Sequence, residues 1–233
     1  MNAKFKFLKG GYAMRTKFKV VMLVAMLLLS LVFAPTSHAA LSPTVGAVDP
    51  ANGFPGWYMD LGVPGVRGPL ALGQCLDLNG FCLVLGVNPG PIVFPTNFPD
   101  EWFYYIAETG PFGTANVFYR TALEAAFAGP LGAVVAGDQS VFTRRRVRAD
   151  SIVGGTYTAT DFYGVITVPG VPAATIRGIN FTEDFGIGVA GNFVLATTGP
   201  VGPFVTNTAG LTTAPDGNIY LANPGIAVTV TGG

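Results

Sequence analysis

Glycine and proline set the terms of what this chain can fold into. The sequence holds 32 Gly and 18 Pro, and after about position 40 they cut the apolar residues into short runs. Proline carries no amide proton and clashes with the preceding helical turn, and glycine gives up the most backbone freedom when ordered, so neither tolerates a long helix around it. What survives between them is rich in β-branched and aromatic residues and is closed by turn formers, which is the pattern of short strands. The strands expected are Leu70 to Leu76, Phe81 to Leu85, Trp102 to Glu108, Asn116 to Leu123, Ser140 to Ala149, Gly155 to Thr160, Gly164 to Val168, Thr175 to Phe181, Phe193 to Thr198, Asn218 to Ala222 and Ile226 to Thr231. One segment, Thr121 to Ala128 (TALEAAFA), has helix-forming composition but also alternates in period two, and we read it as a strand or a single helical turn. Regular short strands at this spacing give an all-β chain, an antiparallel β-sandwich of immunoglobulin-like or jelly-roll-like kind. Its length accommodates one large sandwich or two small ones, with a subdivision near 130–140.

The first 39 residues belong to a different regime. Lys17 and Lys19 precede an apolar run from Val20 to Ala34, Pro35 ends it, and Ser37-His38-Ala39 supplies small residues of the kind signal peptidases read. The run is shorter than the roughly 20 apolar residues a membrane-spanning helix needs. Residues 1–39 are therefore read as a secretory signal peptide, with Met14 as an alternative start, and residues 40–233 as a secreted or cell-surface β region with no transmembrane span. No cysteine stands at the cut to take a lipid.

Cleavage there removes all five lysines and the only histidine. The remaining chain then has no imidazole and no primary side-chain amine, which rules out a Ser-His-Asp triad, a His-containing zinc site and a Schiff-base lysine. The charge balance moves as well. The whole chain has 13 Lys+Arg and 13 Asp+Glu; the leader takes five Lys and Arg15 but no acid, leaving 7 Arg against 13 acids and a net charge of −6. An acidic chain gains nothing from counterion release on nucleic acid, so nucleic acid is not a partner.

Cys75 and Cys82 are the two cysteines, in CLDLNGFC. In an oxidising compartment two thiols separated by a tight Asn79-Gly80 turn form a disulfide across a hairpin, a short loop whose closure contributes about 2–3 kcal/mol. The spacing is not that of a redox-active C-x-x-C pair, and two buried thiols on adjacent strands is the plainer alternative.

The strongest charge feature is the run Arg144, Arg145, Arg146 and Arg148. On a strand, Arg144, Arg146 and Arg148 share one face with Phe142, while Val141, Arg145 and Val147 share the other. Three guanidinium groups on one face suit a carboxylate- or sulfate-bearing polymer; the plain alternative pairs them with acids of neighbouring strands such as Glu183 or Asp184. Glu183 and Asp184 in NFTEDFG, and Asp216 in APDGNIY, also offer oxygen ligands on turns for a structural calcium ion, the one cofactor considered, without a recognised calcium-loop pattern. Asn180-Phe181-Thr182 matches a glycosylation sequon.

Aromatic side chains offer a second kind of site. Trp57 and Tyr58 follow a Pro-Gly turn, and Trp102 opens the run WFYY, whose residues alternate between faces. Such rings either fill a core or stand exposed to stack on a sugar. An enzyme built from what remains would rest on carboxylates, since a glycoside hydrolase needs two of them across a cleft, and Asp60, Asp77, Asp100, Glu101, Glu108, Glu124, Asp161, Glu183 and Asp184 are formally available. No nucleophile elbow, phosphate loop or dinucleotide fingerprint stands in a supporting context, and no catalytic residue is assigned.

The strings GFPGWYMD, CLDLNGFCLVL, FPTNFPDEWFYYIAE, ALEAAFAG, GDQSVFTRRRVR, GINFTEDFGIG and TGPVGPF resemble those of a group of uncharacterised secreted bacterial proteins with further β modules after this region. The resemblance runs from Phe54 to Phe204 and implies an extracellular β module, with no activity attached. This chain departs from the group at Arg145, where an apolar residue is usual, and ends at Gly233 just after AVTVT. The expectation is a secreted, non-catalytic β-sandwich that binds or assembles with other protein chains or extracellular polysaccharide. A carbohydrate-binding module using Trp57, Tyr58, Trp102 and the arginine stripe is the alternative, with a carboxylate-based glycoside hydrolase behind it. An outer-membrane barrel fits the alternation but not the missing terminal aromatic or the prolines near strands.

Overall fold

The alternation in QSVFTRRRVRADS produces the longest of the described strands, which pairs on both edges within the largest sheet and packs one face against the core. The computed structural model describes residues 40–62, 68–76, 91–203, 205–222 and 228–232. The leader, the strand expected at 81–85 and Cys82 lie outside the described residues. The strands are β1 (Leu41–Val45), β2 (Trp57–Asp60), β3 (Leu70–Gly73), β4 (Glu101–Glu108), β5 (Phe118–Phe127), β6 (Gln139–Ser151), β7 (Gly155–Asp161), β8 (Gly164–Val171), β9 (Thr175–Phe185), β10 (Val205–Asn207), β11 (Thr212–Thr213), β12 (Ile219–Tyr220) and β13 (Val230–Gly232). All described pairings are antiparallel, and the protein is mostly β. A four-stranded sheet runs β4-β5-β6-β9, a three-stranded sheet runs β1-β2-β3, and β7-β8, β10-β13 and β11-β12 form separate pairs.

TALEAAFA lies wholly within β5 or at its end, paired to β6 from Phe118↔Arg148 to Phe127↔Gln139. Residues 130–140, considered above as a boundary, join two strands of one sheet. FVLATT (Phe193–Thr198), expected as a strand, is instead a 3-10 helix. Its threonines explain the difference: the Thr197 hydroxyl donates to the Val194 carbonyl at 2.8 Å and the Thr198 hydroxyl to the Leu195 carbonyl at 2.8 Å, local bonds that compete with a ladder. Entry to this helix needs Gly186, whose φ is +92° and whose Cα faces the Ala196 amide too closely for a Cβ.

The main core joins the three-stranded sheet to one face of the four-stranded sheet. Tyr58 and Leu72 from the former pack with Trp102, Leu123, Ala125, Phe127 and Val141 from the latter. Phe54, fully buried on the loop before β2, is the hub: its ring meets Trp102 at 5.3 Å, Phe127 at 5.5 Å, Phe98 at 6.1 Å and Phe193 at 6.4 Å. Buried tyrosines tie the layers by their polar ends, Tyr104 donating to the Pro55 carbonyl at 2.6 Å and Tyr58 to the Phe193 carbonyl at 3.0 Å. A second apolar cluster, Val147, Ala149, Ile166, Val171 and Ile179, holds the β7-β8 hairpin on the far end of the same sheet face. Phe54→Ala removes the hub of four ring contacts and lowers the unfolding free energy by about 3–5 kcal/mol, read from urea denaturation.

Candidate functional site

The outer face of the four-stranded sheet, opposite the core, carries four of the seven arginines that follow residue 39. Period-two alternation along β6 brings Phe142, Arg144, Arg146 and Arg148 to this face, as the sequence predicts, and the register sets them beside Arg120 and Glu124 of β5 and Asn180, Thr182 and Asp184 of β9. Arg144 is the centre of an ion-pair network. Its Nε and NH2 donate to the two oxygens of Asp184 at 2.7 and 2.9 Å, its NH1 donates to Glu124 Oε2 at 2.7 Å, Glu101 Oε1 lies 3.7 Å away, and its guanidinium carbon stands 4.9 Å from the centre of the Phe142 ring. A two-pronged pairing of this kind is the strongest geometry open to arginine. Arg120 makes a second pair, with Glu108 at 2.8 Å, and lies over Phe103 and Phe118.

Glu124 is the costly member. Its side chain has no exposure, and burial pushes its pKa up to about 8; the Arg144 charge pulls it back only in part, and neighbouring Glu101 raises it further. Burial alone would lower the pKa of Arg144, but the Asp184 hydrogen bonds and the charges of Glu124 and Asp184 more than offset it, and the net shift is upward.

Arg146 and Arg148 differ from Arg144. Arg146 Nε donates to Thr182 Oγ1 at 3.0 Å and Arg148 Nε to Asn180 Oδ1 at 3.3 Å, both neutral partners. Among the described residues no carboxylate lies in ion-pair range of either. Burial and the flanking charges of Arg144 and Arg148 lower the pKa of Arg146. Beyond Arg148 the sheet ends in a cleft of about 400 Å³ lined by Phe118, Arg148, Asp150, Ile176 and Arg177. Arg177 has φ +51°, a left-handed residue in the bulge where β9 slips against β6, and its amide donates to Asp150 Oδ1 at 2.8 Å. Asn116 Nδ2 donates to the other oxygen at 2.6 Å, and these bonds hold the Asp150 pKa below the usual carboxylate range.

On the inner face Arg145 is buried between the two apolar clusters. Its Nε lies 3.3 Å from Asp161 Oδ2 and 3.9 Å from Glu183 Oε2, and its NH1 donates to the Tyr163 carbonyl at 3.3 Å. Tyr119 donates to Asp161 Oδ2 at 2.9 Å, the Tyr163 amide donates to Asp161 Oδ1 at 2.8 Å, and the Tyr163 hydroxyl donates to the Gly202 carbonyl. Burial, then the Asp161 charge, pushes the Tyr119 pKa up, and burial takes that of Tyr163 up to about 12. These tyrosines stay neutral donors at ordinary pH. The belt lets β6 carry a charge through an otherwise apolar layer.

The aromatic candidates do not join this site. Tyr58 and Trp102 are fully buried in the main core, so neither presents a ring to a sugar, and the aromatic part of the carbohydrate reading is corrected; Trp57 is half-buried on β2. Cys75, bridged to Phe103 beside β4, is not a free thiol, while Cys82 lies outside the described residues. Of the calcium candidates, Asp184 accepts from Arg144 and Glu183 faces Arg145, while Asp216 accepts from the Asn218 amide at 2.9 Å and from Tyr220 at 2.8 Å. Among the described residues no three His, Cys, Asp or Glu side chains gather as a metal site, and no helix is long and apolar enough to cross a membrane. Glu124, Asp161 and Arg177 are the residues that sequence reading left out of the charged site. Period two from Arg120 places Glu124 on the arginine face, a signal hidden by the helix-like composition around it. Comparison with family models, with curated proteins and with solved structures returns no match.

Two expectations come from this geometry. Arg144→Ala leaves Asp184 without its counter-charge and Glu124 without its hydrogen-bond donor and costs about 3–5 kcal/mol, whereas Arg148→Ala changes stability by no more than about 0.5 kcal/mol, both measured by urea unfolding. With a folded pKa near 8 against an ordinary 4.5, Glu124 binds more proton in the folded than in the unfolded state between those values, so its contribution to stability is full below about 4.5 and is lost as pH rises through about 8. Glu124→Gln removes that decline. Identical pH profiles for the two proteins would show that Glu124 is ionised throughout.

Proposed function

We propose that this protein is an exported, non-catalytic β-sandwich that binds an acidic polymer outside the cell, of the carboxylate- or sulfate-bearing polysaccharide class, on the outer face of its four-stranded sheet. The observation that carries the reading is the pair Arg146 and Arg148. Each guanidinium is held through Nε by a neutral side chain, which leaves its two terminal amino groups to fork an oxyanion. The two stand one strand repeat apart, about 7 Å, with Arg177 beyond them at the cleft. A polymer with regularly spaced anions meets such a row through several contacts at once, and multivalency makes up for the weakness of each exposed pair.

Export is supported by the composition of residues 1–39, and a Cys75–Cys82 disulfide fits that compartment. The sandwich reading draws on the shared core of the two larger sheets. A non-catalytic role is supported by Glu124 and Asp161, two of the carboxylates considered for a hydrolase, each of which is held by an arginine rather than facing another acid across a cleft.

A second reading, assembly with other protein chains, is favoured by β9. Its only neighbour in the four-stranded sheet is β6, and Ile176 near its start is 83% exposed, an edge open to another strand. Size-exclusion chromatography with light scattering separates the two, since assembly gives a mass that grows with concentration and polymer binding alone leaves a monomer. For the polymer reading, Arg146→Ala/Arg148→Ala together weaken binding to a polyuronate or sulfated glycan by at least about tenfold, and raised salt weakens the native protein in the same direction. Calorimetry on the pair of proteins checks this, and equal affinities would remove the reading.

A further inference from the structure

Beyond the charged belt the sheet and the hairpin do not close on one another. Between Val147, Ala149 and Ile179 on the inner face of the four-stranded sheet and Ala159, Ile166 and Val168 on β7-β8 lies a cavity of about 410 Å³. Four of these side chains belong to the second apolar cluster and the other two pack against it, so the space borders a core and opens to solvent past Ile152 and Val153.

We propose that this cavity is a binding site for an uncharged, largely hydrocarbon small molecule bigger than a single benzene ring. Size sets the lower bound. A buried apolar cavity of roughly 150 Å³ takes benzene, and this one is more than twice that, within the range of roughly 300–1,000 Å³ typical of small-molecule pockets. The wall chemistry sets the class. Three polar side chains line the cavity: Asp150 accepts from the Arg177 amide and from Asn116, the Tyr157 hydroxyl donates to the Val153 carbonyl at 2.5 Å, and Thr158 is exposed to solvent. The first two are already committed and the third can be solvated, so a guest is held mainly by apolar contact, and a carboxylate at the wall disfavours an anion.

Access and energetics point the same way. Ile152 and Val153 at the rim are 60% and 68% exposed, so the approach is apolar as well. Left without a guest, the apolar lining atoms forfeit contacts on one side, and water placed there finds few hydrogen-bond partners. An apolar guest restores those contacts.

N-phenyl-1-naphthylamine, an uncharged probe whose emission rises in apolar surroundings, tests the site on the intact protein. The result expected is saturable enhancement at one probe per chain, displaced by 1-decanol if the cavity takes an alkyl chain or by 1-naphthol if it takes fused rings. Ala149→Phe on the sheet wall and Ala159→Phe on the hairpin wall each reduce probe affinity at least tenfold with an unchanged far-ultraviolet circular dichroism spectrum. Should either variant fail to fold, methyl resonances of Ile166, Val168 and Ile179 in the native protein report instead, shifting with added 1-decanol while those of Leu72 and Leu123 in the main core stay fixed. Arg146→Ala/Arg148→Ala binds the probe as the native protein does, which keeps this site distinct from the polymer face. Absence of saturable probe binding, probe binding unaffected by both filled cavities, or methyl shifts spread over both cores would overturn the proposal.

Discussion

Two adjacent guanidinium groups, Arg144 and Arg145, are buried on opposite faces of one strand, and much of the molecule is arranged to satisfy them. A buried positive charge is tolerated only with counter-charge and hydrogen bonds in good geometry. Arg144 finds Asp184 from β9 and Glu124 from β5, so the strands on either side of β6 are bound to it by side chains as well as by their ladders. Arg145 finds Asp161 at the tip of the β7-β8 hairpin, which places that hairpin over the inner face. Shifting β6 by one residue would turn Val141 and Val147 out of the two apolar clusters, so the apolar alternation specifies its register, while the consecutive arginines would still find acids.

The same arrangement divides the inner face into zones. Above the Arg145 belt the aromatic core around Phe54 and Trp102 is densely interlocked; below it the hairpin rests on small and branched aliphatic side chains, Ala149, Ala159, Ile166 and Val171. The cavity is found in this second zone, whose buried residues are all aliphatic, with Tyr119, Tyr157 and Phe181 only partly buried at its margin. Of the three β6 arginines on the outer face, only Arg144 is paired with acids among the described residues. Charge is left over toward the Arg148 end because β9 offers Asn180 and Thr182 there in place of the Asp184 it offers to Arg144.

Strand existence and the two-faced character of β6 were legible because they depend on local alternation. Arg144, Arg146 and Arg148 fall on one face in both readings, and the expected strands from Trp102 to Phe181 are present with bounds moved by a few residues. Two kinds of information were not local. Whether a ring is buried depends on which sheet covers it, so Tyr58 and Trp102 could not be told from sugar-binding aromatics until β1-β2-β3 was seen over them. Glu124 as partner of Arg144 depends on a register that no single run encodes, and alanines on both sides of it imitate a helix. FVLATT reads as a strand by composition, yet two threonine hydroxyls and the backbone freedom of Gly186 turn it into a short helix.

The bond from the Tyr58 hydroxyl to the Phe193 carbonyl spans 135 residues. A chain made from its N-terminus presents Phe54 and Tyr58 long before the segment that covers them exists, and pairing of such remote pieces is slow, on the order of milliseconds to seconds in sheet-rich domains. Until the late helix arrives, an aromatic surface and the side of β1 against which it packs face whatever else is present. Any cell making this protein must therefore keep the nascent chain apart from its neighbours over that interval, and truncations ending before residue 193 should be lost to aggregation rather than accumulate as stable fragments.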